Sequence, residues 1–195
     1  ALDEVEEAVA LRRVAALGGS GTEKSQLLGG LALRQAQQKG VVLCLDGRQQ
    51  RQTEVQFRLL LRNGQSYIAV PPSGEVPSEI ERTALRLLSR GLSTLSPLLL
   101  LDSIEETPAW ERTLAFLLKA GVIVVEFLVD AAQLVFGRYD TVLILRTEKH
   151  LAEAYSRAVG RRASPEEMQT LLSGQGLLIH LAQTYRVQLP NLQTG

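Results

Sequence analysis

Short apolar runs alternate with amphipathic stretches along most of this chain. The runs predict strands buried on both faces at residues 13–17, 41–46, 65–70, 98–102, 122–127 and 141–146. Helical patterns lie between or after these runs, at residues 26–39, 49–62, 77–91, 108–121 and 148–159. This alternation is typical of an α/β fold, a mostly parallel sheet with helices on both faces.

The C-terminal part of the chain departs from the alternation. Ser164 is predicted to cap a last helix, with Glu167 at the spacing of a capping box. Two strands follow, at residues 176–181 and 185–189, with no helix between them. Since only antiparallel strands can be joined by a short turn, we expect an antiparallel edge there. Residues 1–195 are predicted to form one domain, with an acidic lead-in at residues 1–12.

Composition excludes several classes of protein. The 195 residues contain 21 Lys and Arg and 21 Asp and Glu, so the net charge is zero and does not support a nucleic-acid partner. One cysteine excludes an intrachain disulfide framework, and two distant histidines give no metal-binding pattern. No apolar run approaches about 18 residues and no signal peptide is visible, so we expect no membrane span and a cytoplasmic location.

The glycine-rich turn at residues 18–25 follows the first strand and precedes the first long helix. The Walker A pattern G-x-x-x-x-G-K-[ST] places backbone amides and a lysine on phosphates and a hydroxyl on magnesium. Gly18, Lys24 and Ser25 fit this pattern, and Gly21 matches a common inner glycine. Glu23 stands where the pattern has its second glycine. ATP and Mg²⁺ are therefore the expected cofactors of a site that departs from the pattern.

Glu23 allows two interpretations. A carboxylate at this position crowds and repels a polyphosphate, which indicates a weakened phosphate loop. Alternatively, Ser20 and Glu23 have the spacing of a capping box, in which the glutamate satisfies free amides and complements the helix dipole. The sequence leaves both interpretations open.

Acidic residues end two of the apolar strands. Residues 98–102 have the Walker B form, four leucines and then Asp102, which would help to hold magnesium. Ser103 follows where active enzymes often have a glutamate, so Glu105 or Glu106 would have to supply the base. The alternative is a buried strand whose aspartate caps the next turn. Asp46 also ends a strand, with Arg48 two residues later. These residues could contact a ligand or make a turn, and we favour the turn.

The order of these motifs resembles the FtsK/HerA group of P-loop ATPases, which includes type IV secretion and conjugation motors. The resemblance extends from Val14 to Leu189 and is carried by residues 18–25, 41–48, 98–102, 138–146, 148–160 and 172–179. It implies a ring-forming ATPase in which Lys24 binds phosphates and Ser25 and Asp102 hold magnesium. It also implies an arginine that acts across a subunit boundary.

Three departures from this group lead to the predicted function. Glu23 replaces the loop glycine, Ser103 replaces the catalytic glutamate, and the strand at 122–127 lacks the polar sensor residue that often follows it. We therefore predict a degenerate ATPase-like domain that assembles with itself or with protein partners as part of a larger machine. The alternatives are an active ATP-driven motor and a protein-interaction module without a ligand.

Overall fold

The computed structural model describes residues 12–18, 21–48, 65–71, 73, 75–90, 95–128, 130–135 and 137–189. Its strands are β1 (Arg13–Leu17), β2 (Val42–Asp46), β3 (Ser66–Ala69), β4 (Leu98–Asp102), β5 (Ile123–Phe127), β6 (Thr141–Leu145), β7 (Gln175–His180) and β8 (Gln183–Gln188). Its helices are α1 (Gly21–Gln37), α2 (Ser78–Arg90), α3 (Pro108–Lys119), α4 (Lys149–Ala158) and α5 (Pro165–Gln169), with a 3₁₀ turn at Ala131–Gln133. Residues 1–11 of the predicted lead-in and the predicted helix at 49–62 lie outside the described residues.

The chain divides into two compact units. The first unit comprises the described residues up to Leu28 and those from Phe127 onward, and it contains β1, β6, β7 and β8 in that spatial order. β1 pairs with β6 in parallel, whereas β6–β7 and β7–β8 are antiparallel. One face of these strands packs on α4 and α5, with core side chains Ala15, Leu17, Val142, Ile144, Tyr155, Met168, Leu177 and Ile179.

The second unit runs from Gly29 to Glu126 and contains β3, β2, β4 and all of β5 except Phe127, in that order. β2 pairs in parallel with both β3 and β4. Alternate residues of β2 and β4 pack on α2 and α3 through a core that includes Leu43, Leu45, Ala84, Leu88, Leu99, Leu101, Trp110 and Leu114. Every residue of β2 and β4 is buried, as the continuous apolar runs predict.

The predicted fold class is confirmed. The described strands form an eight-stranded, mostly parallel sheet with helices, and its antiparallel strands are at the C-terminal end. The capping box of Ser164 and Glu167 is also present at the start of α5. That the chain is a single domain stays a prediction.

The first helix differs from its predicted bounds at both ends. It begins at Gly21 rather than at residue 26. The apolar pattern did not indicate this start, because the first turn is polar and the first apolar residue of the helix period is Leu27. At its other end, Gly40 was expected in the left-handed C′ position, but Lys39 occupies it with φ +60°. The Lys39 amide donates to the Ala36 carbonyl and the Gly40 amide donates to the Gln35 carbonyl, which makes a Schellman motif. Gly40 is the C″ residue of this motif, one position beyond the predicted C′ position.

Among the described residues, the structure has no helix that is both long and apolar enough to cross a membrane.

Candidate functional site

Gly18 directly follows β1 and needs to be glycine for two reasons. Its φ of +83° is a left-handed conformation that favours glycine. A Cβ atom at this position would overlap the Thr147 hydroxyl and lie 3.1 Å from the Leu145 carbonyl oxygen. The segment after β6 therefore packs directly against the start of the glycine-rich turn, and Thr147 is itself fixed by a 2.9 Å hydrogen bond to the Leu145 carbonyl. Residues 19 and 20, which include the predicted cap Ser20, lie outside the described residues.

Tyr155 supports the same turn from α4. Its side chain is 3% exposed, and its ring lies 3.4 Å from the position that a Gly18 Cβ would take. Burial and the negative charge of Asp130 raise the pKa of Tyr155, while a hydrogen bond from the Gly18 backbone acts in the opposite direction. The tyrosine thus joins the core of the first unit to the first residue of the turn.

Replacing Tyr155 with phenylalanine should make stability less sensitive to alkaline pH. Folding raises the pKa of this phenol above its value of about 10 in the unfolded chain, so the unfolded chain loses the proton first. The phenol therefore contributes fully to stability below about pH 10, and this contribution is lost as the pH rises through the higher pKa of the folded state. Urea unfolding of wild type and Tyr155→Phe at about pH 8 and pH 11 measures the difference. Tyr185→Phe, at an exposed tyrosine, is the control. Parallel pH profiles for wild type and Tyr155→Phe would contradict the prediction.

Lys24 lies in the first turns of α1 and is only 7% exposed. Its Nζ donates a hydrogen bond to the carbonyl oxygen of Leu128, 3.1 Å away, just after β5. Leu128 in turn donates its amide to the Ala16 carbonyl of β1. The lysine ammonium is therefore held near the N-terminus of α1, where helix amides without intrahelical partners and the helix dipole favour an anion. Glu23 and Ser25, on either side of it, are half-buried.

Two pockets in the first unit share Glu23. The larger is open, with a volume of about 430 Å³, and is lined by Glu23, Arg146, Thr147, Glu148, Lys149 and Gln169. The smaller, of about 20 Å³, is large enough for a water molecule and is lined by Glu23, Gln26, Leu27, Leu145, Gly174, Gln175 and Leu189. Glu23 thus lines the larger pocket together with the basic residues Arg146 and Lys149.

The predicted Walker B residue lies in the second unit. Asp102 ends β4 and is 1% exposed, and its Oδ1 accepts a hydrogen bond from the Ser103 hydroxyl at 3.1 Å. Glu105 and Glu106 are exposed and lie between β4 and α3. Lys24 and Ser25 belong to the first unit, whereas Asp102, Glu105 and Glu106 belong to the second.

The surroundings of Asp102 do not fit direct binding of Mg²⁺ at its Oδ1. Magnesium needs near-octahedral oxygen ligands at about 2.0–2.1 Å and keeps several waters. The same Oδ1 already accepts the Ser103 hydroxyl, and the Arg48 guanidinium Nε lies 3.9 Å from it. A second cation there would meet the repulsion of the guanidinium. The assignment of Ser25 and Asp102 to magnesium stays a prediction.

Sequence reasoning missed three contacts of these residues. They are the hydrogen bond from Lys24 to Leu128, the packing of Thr147 and Tyr155 against Gly18, and the approach of Arg48 to Asp102. Each joins residues far apart in sequence, and no local spacing signals it. The turn at residues 46–48, by contrast, has the expected form, because the Arg48 amide donates to the Asp46 carboxylate two residues earlier.

Comparison with known proteins gives a fold but no family. No family model and no curated protein sequence matches the chain. Among solved structures, the genome packaging NTPase B204 from Sulfolobus turreted icosahedral virus 2, in complex with sulfate, matches with a TM-score of 0.66 and 14% identity, over 94% of this chain and 98% of that chain. The chain has a P-loop NTPase-like fold.

Two further B204 structures are similar to this chain to the same degree. The complex of B204 from the same virus with ATP-gammaS has a TM-score of 0.65 and 13% identity, over 93% of this chain and 99% of that one. The DNA-packaging ATPase B204 from Sulfolobus turreted icosahedral virus has a TM-score of 0.65 and 14% identity, over 91% of this chain and 97% of that one. At such identities the likeness establishes the fold, and function has to be argued from the site.

Proposed function

We propose that this P-loop NTPase-like domain is a degenerate member of the FtsK/HerA group that binds ATP at the turn between β1 and α1. It hydrolyses ATP weakly or not at all, and it serves as an assembly or regulatory component of a larger machine. The observation that carries the proposal is the buried Lys24 near the N-terminus of α1, directly after a turn that begins with a left-handed Gly18.

Phosphate binding is supported by the chemistry of this turn. A helix N-terminus offers amide donors and a positive dipole end, and a lysine supplies a full positive charge. Lys24 already holds its ammonium on a neutral carbonyl oxygen, and a phosphate oxygen is a stronger, charged acceptor. The likeness to B204, solved with ATP-gammaS and with AMPPCP, supports a nucleotide as the source of that phosphate.

Weak hydrolysis is supported by departures from the motifs in each of the two units. Glu23 brings a negative charge next to Lys24 and lines the adjoining pocket. Ser103 occupies the position after Asp102 and has a left-handed φ of +56°, and it has no carboxylate to activate water. Glu105 and Glu106 are exposed, which suits a solvated surface better than a buried general base.

Calorimetric titration of the purified chain with ATPγS, followed by sizing with and without Mg²⁺ and ATP, tests the proposal. We expect one saturable nucleotide site per chain and a change in apparent size when nucleotide is present. Phosphate release separates the alternatives, because steady turnover would indicate an active motor in which Glu105 or Glu106 acts as the base. No binding of ATPγS at millimolar concentration would indicate an interaction module that has lost the ligand.

Replacing Glu23 with glycine should raise the affinity for ATPγS about tenfold, since it removes both a like charge and a side chain from the phosphate path. Glu23→Gln separates the two effects, because it removes the charge and keeps nearly the same shape. Glu153→Gln, at an exposed glutamate of α4, is the control for a simple change of net charge. Unchanged or weaker binding in Glu23→Gly would show that this carboxylate caps the helix without obstructing the phosphate.

A further inference from the structure

Two carboxylates lie side by side at the ends of neighbouring strands in the second unit. Asp46 of β2 and Asp102 of β4 are register partners, and they are 0% and 1% exposed. Burying two ionised carboxylates next to each other is unfavourable unless hydrogen bonds and positive charge compensate them. Asp46 accepts hydrogen bonds from the Tyr67 hydroxyl, at 2.5 Å, and from the Arg48 amide, at 2.9 Å.

Gly47 brings the two strand ends into contact. Its amide donates to the Asp102 carbonyl oxygen at 2.9 Å. A Cβ atom at residue 47 would overlap the Ser103 carbonyl oxygen, so a side chain there would push the turns apart. The glycine thus places the next residue, Arg48, beside the end of β4.

The Arg48 side chain reaches Asp102 by two routes. Its Nε donates to the Ser103 hydroxyl at 2.8 Å, and that hydroxyl donates to Asp102 Oδ1 at 3.1 Å. The same Nε lies 3.9 Å from Oδ1 itself, an ion pair in which the arginine is one third exposed and the aspartate is buried. Arg48 therefore brings positive charge to the carboxylate at which the Walker B pattern expects a magnesium ion to be held.

We propose that Arg48 is a built-in counter-ion of Asp102 that competes with a divalent cation such as Mg²⁺ for this carboxylate. A guanidinium at this place neutralises Asp102 and repels a divalent cation. It also engages the hydroxyl of Ser103, the residue that stands where a catalytic glutamate is expected.

Calorimetric titration with Mg²⁺ alone tests the proposal. Wild type, Arg48→Gln and the control Arg82→Gln, at an exposed arginine of α2, are titrated in the absence of nucleotide. We expect Arg48→Gln to bind Mg²⁺ about tenfold more tightly than wild type or Arg82→Gln. Equal Mg²⁺ affinities of all three proteins would overturn the proposal.

A double-mutant cycle in urea tests the ion pair without nucleotide. Arg48→Gln should lower the unfolding midpoint, and the loss should be at most half as large when Asp102→Asn is also present. Equal losses in both backgrounds would overturn the pairing. Should Arg48→Gln alone not fold, recovery of folding in the double variant would support the pairing, and its failure would contradict it.

Discussion

Replacing Gly18 with alanine is expected to lower the free energy of unfolding by about 3 kcal/mol and to abolish measurable binding of ATPγS. Alanine at φ +83° is strained, and its Cβ would overlap the Thr147 hydroxyl and approach the Leu145 carbonyl. Relief of the overlap requires the turn to move away from the segment after β6, which displaces the start of the proposed phosphate loop. Chemical denaturation and calorimetric titration measure the two effects.

Gly121→Ala is the matched control for Gly18→Ala. Gly121 has a similar φ of +90°, but a Cβ atom there would meet no atom within 4 Å. Its substitution should therefore cost only the backbone strain, about 1 kcal/mol, and leave ATPγS binding unchanged. Equal destabilisation by the two substitutions would show that the packing of Thr147 and Leu145 on the turn contributes nothing.

Replacing Lys24 with alanine is expected to weaken ATPγS binding by about 10–100-fold, which corresponds to the loss of one or two charge-assisted hydrogen bonds to phosphate. Because this lysine would contact the outer phosphates, its loss should affect AMP binding far less. Lys119→Ala, at an exposed lysine that ends α3, should bind both nucleotides as wild type does. Equal losses for AMP and ATPγS in Lys24→Ala would place Lys24 away from the outer phosphates.

Lys24→Ala also removes the hydrogen bond to the buried Leu128 carbonyl, so some loss of stability accompanies it. Lys24→Arg keeps the charge and a donor at the same place and controls for this effect. An intermediate nucleotide affinity for Lys24→Arg, at near wild-type stability, would tie the loss of binding to the positive charge itself.

The sheet could be predicted because burial on both faces leaves a continuous apolar pattern. Residues 98–102 are predicted and observed as the same strand. Four leucines in a row leave no polar face, so they fit a strand that is buried on both sides and do not fit an amphipathic helix. The start of α1 could not be found in this way, because its first residues are polar and have no apolar periodicity that marks a helix.

The candidate site was predicted only as far as local spacing reaches. Gly18 and Lys24 follow a motif, and the structure shows the left-handed backbone of the first and the hydrogen bond of the second to Leu128. The turn predicted at residues 46–48 is correct for the Arg48 backbone. The Arg48 guanidinium approaches Asp102, 54 positions away along the printed sequence, and only the pairing of β2 with β4 brings the two together.

A crystal structure of the chain grown with ATPγS tests most directly whether residues 18–25 form a nucleotide site. We predict triphosphate density over the N-terminus of α1, with the Lys24 ammonium moved from the Leu128 carbonyl onto a phosphate oxygen. Nucleotide density elsewhere on the molecule, or crystals at millimolar ATPγS in which Lys24 still bonds Leu128 and no nucleotide is bound, would contradict the proposed site.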